Sequence, residues 1–206
     1  LVDLRQDKLT VITRHFSDIV VSRVDESELQ NLSLDTGFVP AVDDWQFTNR
    51  GSAIAPRGHC AGQSVGAMWY YYEQRLGAGE PALYGRFDNN QRQAKTAAFW
   101  YDDSWGYRFS SVLQEEMAWE TYSSELLIYL GKLSDGWTWN AFAYTMALTG
   151  EPQFVYIYSL DAQGDINAAH AIVAYRIENN QLYVADPNYR GQTDRTIRFT
   201  GSGFQP

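Results

Sequence analysis

The stretch from His170 to Asp186, HAIVAYRIENNQLYVAD, limits what this chain can become more than any other. Two runs rich in β-branched and aromatic residues flank ENNQ, a strong turn sequence, and together they predict an antiparallel hairpin. Phe154–Leu160 (FVYIYSL) predicts a strand before it and Arg195–Thr200 one after it, with DAQGDINAA as an intervening loop. Upstream the period changes. From Cys60 to about Leu76 the apolar residues Val65, Met68, Trp69, Tyr72 and Leu76 form one helical stripe, the expected core face, closed by Gly77 and Gly79. Gln91–Trp100, Phe109–Leu130 and Trp139–Leu148 also read as helical, the last stopped by Gly150 and Pro152. Helices first and an antiparallel sheet last define an α+β class.

The length of 206 residues suits one domain, taken as 37–206, with residues 1–36 as an extension or flank. That flank holds a short β-like stretch at Ile19–Val21 and a helical one at Glu26–Leu32. With 45% hydrophobic and 15% aromatic residues, the chain can bury a core, which excludes a disordered class. The net charge of −9 makes nucleic acid and anionic membranes poor partners, because the surface repels phosphate. No apolar run approaches the roughly 20 residues of a membrane span. A single cysteine excludes an internal disulfide and a thiolate-rich zinc site. The three histidines are scattered, so neither a metal nor a cofactor is implied.

That one cysteine stands in GHCAGQS, residues 58–64, at the expected start of a helix. Cys60 lies about 140° from the apolar stripe and shares its face with Ser64 and Ala67, both small. A structural cysteine would be a small buried residue. A cysteine at a helix start faces unpaired N–H groups and the positive end of the macrodipole, which favour the thiolate. Gly58 and Gly62 are expected to leave room for a substrate backbone.

A thiolate needs a base. His15 sits in a charged segment. His59 adjoins the cysteine, so its ring points elsewhere, at most lining a cleft. His170 opens the apolar strand, and Asp186 ends the partner strand sixteen residues on. Parity decides whether they meet. A strict two-residue Asn179-Asn180 turn puts Asp186 on the wrong face, so an odd-length loop or a bulge is required. Given one, Asp186 or Asn188 can accept the imidazole N–H and fix its tautomer. The alternative for Asp186 is a turn cap before Pro187.

Cys60 at a helix start, His170 heading a strand and Asp186 ending the next resemble, in order and architecture, the papain-like cysteine peptidase superfamily, its bacterial branches above all. The likeness covers roughly residues 45–200. It implies a helical half with the nucleophile, a β half with the base and a cleft between. Carried over, Cys60 is the nucleophile, His170 the base and then the acid, and Asp186 the orienter with Asn188 as substitute. The chain departs from the family at the oxyanion hole: a glutamine is expected about six residues before the cysteine, where Ile54 stands. Asn49, or else Gln46, is the expected side-chain donor. The aromatic set Trp45, Trp69, Tyr70, Tyr71 and Trp105 divides between cleft and core. The resemblance implies hydrolysis of peptide or isopeptide bonds in a protein or peptide substrate. A transglutaminase-like acyl transfer uses the same groups, and a papain-like shell without catalysis is the third reading. A secreted or cell-surface bacterial setting is favoured over a cytoplasmic or delivered one.

Overall fold

The computed structural model describes residues 2–3, 8–9, 25–87, 104–117, 133–164 and 166–205. Strands β1 (Val2–Asp3) and β2 (Lys8–Leu9) pair antiparallel. Helix α1 (Glu26–Gln30) begins where the Asp25 carboxylate accepts the Ser27 N–H at 2.9 Å. After β3 (Leu34–Asp35) and a long loop comes α2 (Cys60–Trp69), which continues in wider π-helical turns over Tyr70–Gly77. Helices α3 (Trp105–Glu116) and α4 (Asp135–Thr149) each start at a serine, Ser104 and Ser134, whose hydroxyl accepts an N–H of the first turn. Strands β4 (Gln153–Leu160), β5 (Ile166–Glu178), β6 (Gln181–Ala185), β7 (Thr196–Phe199) and β8 (Phe204–Gln205) complete an antiparallel sheet of six strands with β3. The fold is α+β.

Strand β5 organises the molecule. Its C-terminal half pairs with β6, and β4 lies along its N-terminal half. Its side chains divide between two cores. Ile172, Ala174 and Ile177 join Trp139, Ala143 and Met146 of α4, Leu29 of α1, and Leu182, Val184, Ile197 and Phe199 of the neighbouring strands. Val173 and Tyr175 join Phe38, Trp45, Phe47, Ala67, Tyr70, Tyr71 and Tyr107. Each fully buried aliphatic or aromatic side chain contributes about 1.5–3 kcal/mol, so the two cores hold the sheet from both sides. Residues 26–36, from the flank of the sequence reading, pack on this body: Leu29 is buried, and β3 pairs with β5 at Arg176 and Ile177.

The hairpin β5–β6 closes through Asn179-Asn180, both with positive φ (52° and 59°), a two-residue turn that suits asparagine. Its register begins Glu178↔Gln181 and Arg176↔Tyr183, then shifts to Ala174↔Val184. Tyr175 is the extra residue, a β-bulge. That bulge restores the parity that a two-residue turn alone would lose, bringing His170 diagonal to Asp186.

Three expectations about elements are corrected. The Val65–Leu76 stripe is not the core face: Trp69 and Leu76 are 46% and 57% exposed, while Ala61, Gly62, Gln63, Ser64, Gly66 and Ala67 are buried. Helix α2 is wedged between α3 and the sheet, and only small residues allow both to come close. The region expected to be the loop DAQGDINAA is strand from Ile166 on, because β4 is long enough to pair with it. Helix α3 begins at Trp105 and ends at Glu116, where Met117 turns extended, instead of running from Phe109 to Leu130. The stretches Ile19–Val21 and Gln91–Trp100, with residues 118–130, lie outside the described residues.

Candidate active site

Strand β6 reaches β5 only from Val173 onward, so residues 166–172 project past it. Helix α2 lies against this stretch. Ser64, one turn after Cys60 and on its face, donates its hydroxyl to the Ala171 carbonyl at 3.2 Å. That bond ties α2 to the residue following His170. The small face noted in the sequence is what lets helix and strand approach.

At the helix start, His59 occupies the N-cap position without a capping side chain. The first intrahelical bond runs from the Gln63 N–H to the His59 carbonyl at 2.8 Å. The N–H groups of Ala61 and Gly62 are both taken by Gln114 Oε1 of α3, at 3.0 and 3.1 Å. The Cys60 N–H has no acceptor among the described residues. Gln114 is therefore a tertiary cap, 54 residues from Cys60 in sequence, which no local motif announces.

Cys60 is partly buried, and the His170 imidazole and the backbone of Ala171 and Ala61 act on its thiol. Burial alone would raise its pKa. The His170 hydrogen bond and charge, with backbone contacts from Ala171 and Ala61, outweigh burial and hold the thiol below its ordinary value. His170 Nε2 meets Asp186 Oδ1 at 2.7 Å. With Nε2 engaged there, Nδ1 is the nitrogen left for the sulfur. Burial pulls the imidazole pKa down, but the bonds to Asp186 and to Cys60 push it up to about 9. Each group thus favours the charged form of the other, and the two titrate as a coupled unit.

Asp186 is 9% exposed and stands just before the 3-10 turn Pro187–Tyr189. Its Oδ1 also accepts the Asn188 N–H at 2.9 Å, so the turn-cap role and the His170 contact coexist in one oxygen. Asn188 Nδ2 lies 3.3 Å from the same ring nitrogen, and Asn188 Oδ1 accepts from Asn49 Nδ2 at 3.2 Å. Asn49 Oδ1 in turn accepts the His59 N–H at 2.6 Å. Asn49 is therefore a brace between the approach to α2 and the turn at Pro187–Tyr189, its amide engaged at both ends. Gln46 turns its side chain toward Gly85, and its carbonyl accepts from Arg190.

Other expectations resolve similarly. The ring of His59 is fully buried, 3.1 Å from Ser111 Oγ and edge-on to Tyr107, so it lines no cleft. His15 lies outside the described residues. Gly58 and Gly62 serve internal packing. At Gly58 (φ +111°) a Cβ would stand 2.8 Å from Asn49 Oδ1, and at Gly62 one would stand 2.0 Å from the Ser110 carbonyl oxygen. Trp45, Tyr70 and Tyr71 are core, whereas Trp69 and Trp105 are exposed. Tyr156, not singled out in the sequence, pairs with Ala171 across β4 and β5, and its phenol pKa is raised by burial and by the Cys60 charge.

Among the described residues, no cluster of His, Cys, Asp and Glu is arranged to hold a metal ion, and no helix is long and apolar enough to cross a membrane. No known protein family, curated protein or solved structure matches this chain.

Proposed function

We propose that this chain is a cysteine peptidase of papain-like architecture, cleaving peptide or isopeptide bonds. The Cys60 thiolate attacks the scissile carbonyl. The negative charge that develops on the carbonyl oxygen falls to the Cys60 N–H, which no described residue has claimed. The His170 imidazolium gives its proton to the leaving amine. The neutral ring then takes a proton from water, and the resulting hydroxide releases the acyl group from sulfur. Asp186 holds the ring by Nε2 throughout and stabilises its charged form. The observation that carries this reading is one imidazole that meets a buried carboxylate at 2.7 Å and also favours the charged form of the lone thiol. A cysteine kept for packing needs neither.

An activated ester of a short acylated peptide tests the reading. The folded protein is expected to form an acyl adduct on Cys60, seen by intact mass, that water then clears. His170→Ala is expected to lose the adduct at neutral pH. Failure of the folded wild type to acylate Cys60 overturns the proposal. An added primary amine separates the two outcomes of the adduct, free acid by hydrolysis and amide by acyl transfer.

A further inference from the structure

Beside Asp186 lies a recess of about 20 Å³. It is lined by Gln63 of α2, Asp44 and Trp45 of the long loop, Phe38, and Asp186 with Pro187. The volume matters, because about 10–15 Å³ suffices to seat one water molecule.

Three buried polar groups meet there with unused hydrogen-bonding capacity. Gln63 is 3% exposed. Its backbone carbonyl accepts the Trp45 indole N–H at 3.1 Å, but its side-chain Nε2 has no acceptor among the described residues. Asp186 uses Oδ1 for both His170 and Asn188, and Oδ2 receives no donor from the described residues. Asp44, 9% exposed, takes the Ala41 N–H on Oδ1 at 2.7 Å and the Gly191 N–H on Oδ2 at 2.9 Å, which leaves each oxygen a lone pair. Desolvation raises the Asp44 carboxyl to about 6, consistent with a site short of donors.

We propose that a single water molecule is a fixed part of this site, bridging Gln63 Nε2 to Asp186 Oδ2 and Asp44, and that Gln63 is thereby a positioning residue for the catalytic imidazole. Water can accept from Gln63 and donate to both carboxylates, which meets the two to four partners a buried water needs. A small cation would suit the carboxylates but would leave the Gln63 donor facing positive charge, so the unmatched N–H group selects water. The consequence rests on the proposed peptidase reading: with Oδ2 held by the water, the Asp186 carboxylate is restrained from rotating its Oδ1 away from His170 Nε2.

Two readouts test this. A high-resolution crystal structure of the wild type is expected to show one solvent peak within hydrogen-bond distance of Gln63 Nε2 and Asp186 Oδ2. In Gln63→Met, of similar length and without donors, two midpoints are then followed: thiolate ultraviolet absorbance for Cys60 and NMR for the His170 ring. The interval between them is expected to narrow by about half a pH unit or more, the scale of one lost hydrogen bond at a charged site. No peak in the recess, a cation in place of water, or an unchanged interval in the folded variant overturns the proposal. The crystal readout does not depend on catalysis. A solvent peak in a protein whose Cys60 fails to acylate sinks the peptidase reading and leaves the water site standing.

Discussion

Among the described glycines, Gly62 makes the tightest approach, where α2 meets α3, and Gly62→Ala probes that contact. A Cβ at residue 62 would stand 2.0 Å from the Ser110 carbonyl oxygen and 2.9 Å from the Gln114 nitrogen, both backbone atoms that cannot swing aside. A methyl group and a carbonyl oxygen are comfortable at roughly 3.4 Å, so the helices must part by about 1.4 Å. The same gap carries the bonds from the Ala61 and Gly62 N–H groups to Gln114 Oε1, at 3.0 and 3.1 Å, and a shift of that size breaks both. Overpacking costs about 1–3 kcal/mol and each lost bond about 1 kcal/mol, for a total of about 3–5 kcal/mol. For a chain of this length each kcal/mol lowers Tm by about 2–4 °C, so a drop of roughly 6–20 °C is expected in a thermal melt followed by circular dichroism. A Tm within about 2 °C of wild type would refute the backbone contact and the helix cap derived from it.

Other consequences concern the charges. In Asp186→Asn the imidazole loses the carboxylate that holds it near 9, so the NMR midpoint of the His170 ring is expected to fall toward the ordinary value of about 6.5. An unchanged midpoint would remove Asp186 from the site. The same raised pKa predicts how stability depends on pH. A base held at about 9 in the folded chain and about 6.5 in the unfolded one stabilises the fold fully below pH 6.5. That contribution is lost as pH rises through about 9. The urea-unfolding difference between wild type and His170→Ala is therefore expected to be largest near pH 6 and to shrink by about pH 10. A difference that grows with pH contradicts the assignment.

Much of the architecture was legible because it rests on local chemistry. The change of texture from helical to β-rich segments announced the α+β class. ENNQ announced the turn, and a meeting of His170 with Asp186 demanded an odd-length loop or a bulge, of which the chain supplies a bulge at Tyr175. The separation of Cys60, Ser64 and Ala67 from the apolar stripe anticipated a close approach, which the Ser64–Ala171 bond makes. What escaped was tertiary. Periodicity assumes that a helix buries its most apolar face, but α2 is squeezed between two partners and buries its smallest one. The glycines flanking Cys60 looked like room for a ligand because sequence does not reveal that Asn49 and Ser110 occupy that room. Gln114 and Gln63 carried no signal at all, since one caps a helix from another helix and the other faces a recess formed by distant segments.

The central claim is that Cys60 and His170 form one ionised pair. Iodoacetamide labelling of the folded protein across pH, with His170→Ala beside the wild type, tests it most directly. The account predicts rapid labelling of wild-type Cys60 near pH 6, well below the ordinary thiol range of about 8.5, and loss of that low-pH reactivity in the variant. Identical labelling curves for the two proteins, or a wild-type thiol that reacts only after unfolding, would contradict it.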